Sequence, residues 1–230
     1  MAAAVAAVLC IGGGGVWAWA SPYAYVSLDV NPSVEYTLNR FDRVLSVKAV
    51  NDDGESLLER QELKNLSGKA IDDAIALTVA KIGDQGFFDG DLPGGVVITT
   101  SGRDLKKAGV LAEELKERVE EETGDKEVQV ESLSVGLERV QEARELGVTP
   151  GKLNLVEKLA AGAGGELDQE EWLQKPVREI MKAIQENKAE DKAAAKEEKA
   201  QDKAQSKADK GAEKAEDKAG KPSGGPKEKS

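Results

Sequence analysis

Histidine is absent from this chain and cysteine occurs once. Without histidine there is neither the commonest general base nor the commonest zinc ligand, so ordinary hydrolase triads and zinc sites are not expected. A single cysteine excludes an intramolecular disulfide, and Cys10 lies inside an apolar run. Aromatic residues are only 4% of the 230, so any core must be mostly aliphatic. Thr149-Pro150-Gly151-Lys152 lacks the two-glycine frame of a phosphate loop, and no cofactor is expected. A formal net charge of −11 argues against nucleic acid as a partner.

Long hydrophobic runs are also scarce: residues 2–20 form the single uncharged stretch long enough to cross a bilayer. Gly12, Gly13, Gly14 and Gly15 would weaken a soluble helix but suit close packing in a membrane. Trp17, Trp19, Tyr23 and Tyr25 fit an aromatic belt at its outer end. Residues 1–21 are therefore expected to be a single membrane-spanning helix, with the chain after about residue 21 outside the cytoplasm. A cleaved signal peptide competes, because Ala18-Trp19-Ala20 has the small-x-small form ahead of Ser21. No lysine or arginine precedes the run, which suggests that the true start lies further upstream.

The stretch YAYVSLDVNPSVEY, residues 23–36, organises the rest of the chain. Tyr23, Tyr25, Ser27 and Asp29 alternate with Ala24, Val26, Leu28 and Val30, the period of a strand with one apolar face. Val34, Tyr36 and Leu38 repeat the pattern after Pro32. A proline between two strands ordinarily marks a turn, bulge or edge. The Asn31-Pro32 pair carries a second option. Proline has no N–H, so the following backbone nitrogen cannot attack the asparagine side chain. The Asn31 side-chain nitrogen can instead attack its own carbonyl carbon, forming a succinimide and releasing Pro32 as a new N-terminus. That needs near-attack geometry imposed by a fold. Asp29 or Ser27, on the same strand face, could polarise the amide.

Further along, residues 39–42 form a turn and 44–50 a strand. Asn51-Asp52-Asp53-Gly54 is expected to be a turn, without the remainder of a calcium loop. Ser67 and Gly68 open a helix with Ile71, Ala74, Ile75, Val79 and Ile82 on one face, ended by Gly83 and Gly86. Phe87 and Phe88 plug the core. The β-branched run at 96–100 is a central strand buried on both faces. Ser101 or Asp104 caps a helix with Ala108, Leu111, Ala112, Leu115 and Val119 as its buried stripe. Val128, Val130, Leu133 and Val135 give another strand. A helix over 137–146 stops at Gly147, and Thr149 caps the next, with Pro150 at its first position. Short strands interleaved with amphipathic helices predict a three-layer α/β/α sandwich with a mixed sheet. Residues 163–185 supply one more amphipathic helix or linker, interrupted at Pro176. From 186 to 230 the chain is low-complexity, with 12 lysines against 11 acidic residues and no apolar stripe. It is expected to be a solvated tail, disordered or partly helical, with anionic cell-wall polymer as a weak candidate partner.

YVSLDVNPSVEYTLN, then RVLSVKAVNDDGE, LSGKAIDDAI and ARELGVTPGKLNL, in this order, resemble the extracytoplasmic domain of RsgI-type anti-sigma factors over roughly residues 22–162. The resemblance implies self-cleavage at Asn31-Pro32, pieces that stay associated through the sheet, and later membrane proteolysis that releases a sigma factor. The family carries a sigma-binding cytoplasmic segment before its membrane helix. Sigma-factor binding is therefore expected only if such a segment lies upstream of residue 1.

Together these observations predict a membrane-anchored signalling protein whose chemistry is one self-cleavage. Asn31 is the nucleophile, Pro32 the leaving group and Asp29 the helper, with the bilayer and an intramembrane protease as partners. No turnover enzyme, cofactor or metal is expected. The competing assignment is a non-catalytic, surface-tethered or secreted binding module in which Asn31-Pro32 is only a corner.

Overall fold

The computed structural model describes residues 19–59, 63–124, 126–164 and 167–219. The expected membrane helix at 1–21 falls almost wholly outside the described residues. Among those, no helix is long and apolar enough to cross a membrane.

The alternating stretch forms a hairpin, as its period requires. Strand β1 (Ala24–Asp29) pairs antiparallel with β2 (Ser33–Leu38), and β2 with β3 (Val44–Ala49). Strand β4 (Gly94–Gly102) inserts on the other side of β1, also antiparallel, and β5 (Val128–Val135) lies parallel to β4. The sheet order is β3-β2-β1-β4-β5, so β1 and β4 are interior and the sheet is mixed. Each residue of β4 is buried, as expected for the apolar run at 96–100.

Side chains alternate across this sheet and seed two cores. Ala24, Val26, Leu28, Val34, Tyr36, Leu38, Val96 and Ile98 share one with helices α2 (Ile71–Asp84) and α3 (Leu105–Thr123). Val97 points the other way, into a core with residues of α4 (Leu137–Glu145), α5 (Pro150–Gly162) and α6 (Gln169–Gln174). Val177, Ile180, Met181 and Ile184, from the first turns of α7 (Val177–Ala219), complete it. The architecture is α/β, a mixed five-stranded sheet with helices packed on its two faces. Burying an aliphatic side chain of this kind stabilises by about 1.5–3 kcal/mol. Tyr36 reaches through the first core so that its hydroxyl donates to Thr78 Oγ1 at 2.7 Å.

Local signals explain most boundaries. Asp104 caps α3 by accepting from the N–H groups of Lys106 and Lys107, so the cap is Asp104 rather than Ser101. Thr149 caps α5, with Pro150 in its first turn. Helix α2 starts at Ile71, later than Ser67-Gly68 suggests, and Gly86 follows its end at φ 79°. Residues 167–185 are two helices, broken at Lys175-Pro176. Asn51-Asp52-Asp53-Gly54 corrects the sequence expectation. It opens a short helix, α1 (Asp52–Leu58), because Asn51 accepts from the Gly54 N–H as an N-cap and the acidic residues occupy the first turn.

Two compact units divide the chain at Ile184 and Gln185. In the second, the backbone is helical through Ala219. Alanine, lysine and glutamate have high helix propensity, and Lys188/Asp191, Lys199/Asp202, Lys210/Glu213 and Lys214/Asp217 are opposite charges at i,i+3 spacing. The described side chains between 188 and 199 are exposed.

Candidate functional site

The end pair of the β1–β2 hairpin is Asp29 with Ser33, leaving Val30-Asn31-Pro32 as a three-residue connection. The Val30 N–H donates to the Pro32 carbonyl at 3.0 Å. Asn31 takes φ 101°, a left-handed backbone that is uncommon for any residue with a side chain and least costly for asparagine. Strained positions of this sort persist only where the surroundings fix them.

The surroundings do fix Asn31. Its side-chain oxygen accepts from Asn51 Nδ2 at 2.9 Å, and its Nδ2 donates to Asp53 Oδ2 at 2.8 Å. Asn51 is itself held, because its Oδ1 accepts from the Ser33 N–H and the Gly54 N–H, each at 2.9 Å. The Val50 N–H donates to the Ser33 carbonyl. Gly54 is required for this approach, since a Cβ there would stand 2.4 Å from the Ser33 oxygen. Thus the first turn of α1 is folded against the hairpin, and one asparagine both caps that helix and orients the other asparagine's amide.

Beneath the hairpin lies a buried polar layer. Asp29 is fully buried; its carboxylate accepts from Thr149 Oγ1 at 2.7 Å and from Ser27 Oγ at 3.1 Å. Burial pushes its pKa up from 3.8 to about 6, opposed by the hydroxyl hydrogen bonds and by the Lys152 charge. Lys152 is also buried, which pulls its ammonium below the usual range, while Asp29 acts in the opposite direction. Helix α5 sits close enough to allow this only because residue 151 is glycine. A Cβ there would lie 2.8 Å from Asp29 Oδ2 and 2.5 Å from Thr99 Oγ1.

Asn31, Asn51, Asp53, Thr149 and Lys152 line one open cleft, together with Val148 and Leu173. The structure therefore brings Asn31 and Pro32 into a constrained turn, with Asp29 close by in sequence but bonded to Ser27 and Thr149. The carboxylate on the Asn31 amide is Asp53. Sequence inspection misses Asn51 and Asp53 because acidic residues after an asparagine read equally well as a surface turn. Thr149 is visible as a helix cap, though not as a partner of Asp29. Chemically, the cleft offers a side-chain amide held in a strained turn, a carboxylate positioned to take its proton, and a tertiary amide as the next bond.

A further set of contacts ties the β1–β2 hairpin to α4, with Glu35 on β2 and Tyr25 on β1. Arg144 of α4 donates to Glu35 Oε1 at 2.6 Å and its guanidinium lies 4.7 Å from the Tyr25 ring centroid. The Glu35 bond holds that guanidinium's pKa above its usual value.

The model for the anti-sigma factor RsgI-like central domain matches residues 23–158. Anti-sigma-I factor RsgI7 of Acetivibrio thermocellus is 36% identical over 175 residues, 75% of this chain and 32% of that protein. Anti-sigma-I factor RsgI9 of the same organism is 30% identical over 174 residues, 73% of this chain and 24% of the relative. Anti-sigma-I factor RsgI of Bacillus anthracis is 29% identical over 129 residues, 56% of this chain and 28% of its own length. The chain thus spans about a third or less of these curated relatives. The strand pair, the Asn51 cap and the start of the Thr149-capped helix all fall within the matched span, and the chain belongs to the anti-sigma factor RsgI-like family through its central domain.

Proposed function

We infer that this chain is a membrane-anchored, anti-sigma-factor-like signalling protein whose domain cleaves itself once, between Asn31 and Pro32. The observation that carries this is the Asn31 side chain, clamped between Asn51 and Asp53 at a left-handed backbone position directly before proline. In the step, Asn31 Nδ2 attacks the Asn31 carbonyl carbon and passes a proton to Asp53. The tetrahedral intermediate collapses, the C–N bond to Pro32 breaks, and the proline nitrogen takes up a proton as a secondary amine. Asn31 is left as a C-terminal succinimide, which water opens. Holding nucleophile and carbonyl in place can be worth about 7–11 kcal/mol of the barrier. General-base assistance adds roughly 10²–10⁴-fold. Asp29 acts from below as a support for the turn.

After cleavage the piece ending at Asn31 stays in the sheet, because β1 is hydrogen-bonded to strands on both sides. Its removal is the signal that exposes the membrane segment to an intramembrane protease, and through the family relationship to control of a sigma factor.

The test is intact mass under protease inhibition, before and after denaturation. A native species of full mass that separates on denaturation into pieces ending at Asn31 and starting at Pro32 is expected. A chain still uncut after prolonged folding would overturn self-cleavage and leave a tethered binding module.

A further inference from the structure

At the opposite end of β1 from Asn31, the domain presents a surface that the cleavage chemistry does not use. Trp19 and Phe41 are each about half exposed, at 53% and 52%, with ring centroids 5.4 Å apart. Their placement is built in. Asn39 is fully buried; its Nδ2 donates to the Trp19 carbonyl at 3.0 Å, and its Oδ1 accepts from the N–H groups of Phe41 and Arg43. One side chain thus shapes the β2–β3 turn and fastens it to the end of the apolar run at 2–20. Tyr23 lies beside them, with the Arg40 guanidinium 5.9 Å and the Lys107 ammonium 5.2 Å from its ring centroid. Lys107 also bonds to Asp42 at 3.1 Å and to the Arg40 carbonyl, which brings the start of α3 to the turn.

Two segments at this pole are basic in sequence, although on one side Phe41 and Arg43 line a cleft with Asp72, Glu114, Glu117 and Glu121. Residues 39–43 and 103–107 hold Arg40, Arg43, Arg103, Lys106 and Lys107 against only Asp42 and Asp104, in a chain of net charge −11. Asp42 is paired with Lys107, and Asp104 is occupied as the cap of α3. The first turn of α3 has two lysines and no acidic residue, the reverse of what a helix N-terminus favours. Leu105 beside them is 56% exposed. Lys107 is used to tie α3 to the turn, but the Lys106 charge at a helix N-terminus and the exposed Leu105 run against the fold's own preferences, and rule-breaking residues gathered in one place indicate function.

The geometry points to a docking surface for an anionic lipid bilayer, with Trp19, Phe41 and Leu105 seated at headgroup level and Arg40, Arg103 and Lys106 against lipid phosphates. Amphipathic rings and aliphatic tips flanked by basic side chains are what the interfacial region accepts. Each lysine or arginine near such a surface gains about fivefold in affinity. Trp19 ends a run of bilayer length, so the occupant is the membrane rather than a soluble polyanion. The inference rests on that run being membrane-inserted and is independent of self-cleavage. It orients the domain with β1 rising from the membrane and Asn31 at the far end.

The experiment is hydrogen exchange on the full chain in lipid nanodiscs of phosphatidylcholine, with and without phosphatidylglycerol. Amides of 39–43 and 103–107 should exchange at least about threefold more slowly with the anionic lipid, and the protection should fade with salt. The double variant Arg40→Glu, Lys106→Glu should lose it while β4 amides stay protected, which shows that the fold is intact. Equal exchange in both discs would overturn the docking surface alone. Protection by added soluble polyanion but not by lipid would replace the membrane with a wall polymer. A chain that fails to enter the discs would overturn both the anchor and the docking surface, and leave the mass test of self-cleavage untouched.

Discussion

Replacing Asp29 by Asn should change how stability depends on pH, by an amount the structure sets. Asp29 is completely buried, and burial raises its pKa from 3.8 to about 6. Between those values the folded protein binds the proton more tightly than the unfolded chain does. Stability from this group is therefore fully present below pH 4 and is lost as pH rises through about 6. A shift of about two units corresponds to roughly 3 kcal/mol. Asparagine has a similar shape, keeps an oxygen to accept from Thr149, and cannot ionise. Relative to the parent, Asp29→Asn should gain about 3 kcal/mol between pH 3.5 and pH 7, or roughly 6–12 °C in Tm for a domain of this size. The comparison is best made in an Asn31→Ala background, so that unfolding yields one chain. Urea midpoints at both pH values would read it. A difference between the two proteins that is the same at both pH values would refute the assignment of a perturbed, buried carboxyl to Asp29.

Asn31→Ala should fold and remain a single chain, checked by intact mass; cutting at the same bond would place an external protease in its stead. Asp53→Asn should slow self-cleavage by roughly 10²-fold or more while leaving the fold intact, because asparagine at 53 cannot take the Asn31 proton. A time course of the cleaved fraction measures this. Gly151→Ala should destabilise by about 1–3 kcal/mol, since its Cβ would press on Asp29 and Thr99. Arg144→Ala, which removes the guanidinium stacked on the Tyr25 ring of the cleaved strand, should weaken retention of that strand by about 0.5–1 kcal/mol. The dissociation rate of the two pieces would show it.

How far the sequence reveals this molecule depends on the range of each interaction. The hairpin was legible because Ala24, Val26 and Leu28 alternate with Ser27 and Asp29, and period two has one structural meaning. The double burial of β4 was legible in an apolar run too short for a helix. Thr149 was legible as a cap because capping is settled within three residues. Asn51 obeys the same capping rule, yet its second acceptor contact reaches back to Ser33 and its amide to Asn31, across 18 and 20 residues. No local pattern encodes that. Nor could periodicity decide between Asp29 and Asp53 as the carboxylate nearest the Asn31 amide. Strand alternation puts Asp29 on the right face, but α5 arrives over that face and claims the carboxylate with Thr149.

If the chain cuts itself as inferred, the placement of Asn31 at the end of an interior strand makes cleavage and separation different events. The inferred cut falls at the far end of β1, where no ladder bond is lost: the last register pair, Asp29 with Ser33, lies before the Asn31-Pro32 bond. All six β1 residues remain paired to β2 on one side and to β4 on the other. Val26, Leu28 and Val30 remain buried, each worth about 1.5–3 kcal/mol. Stability after the cut thus comes from the same contacts as before. What changes is connectivity alone, since the unfolded state now consists of two chains. A self-cleaved domain built in this way is stable at rest, and irreversible once β1 leaves. An edge strand cut at the same bond would keep only one ladder and would be lost spontaneously far sooner. The interior position of β1 would therefore let a single covalent event be stored until something removes the strand.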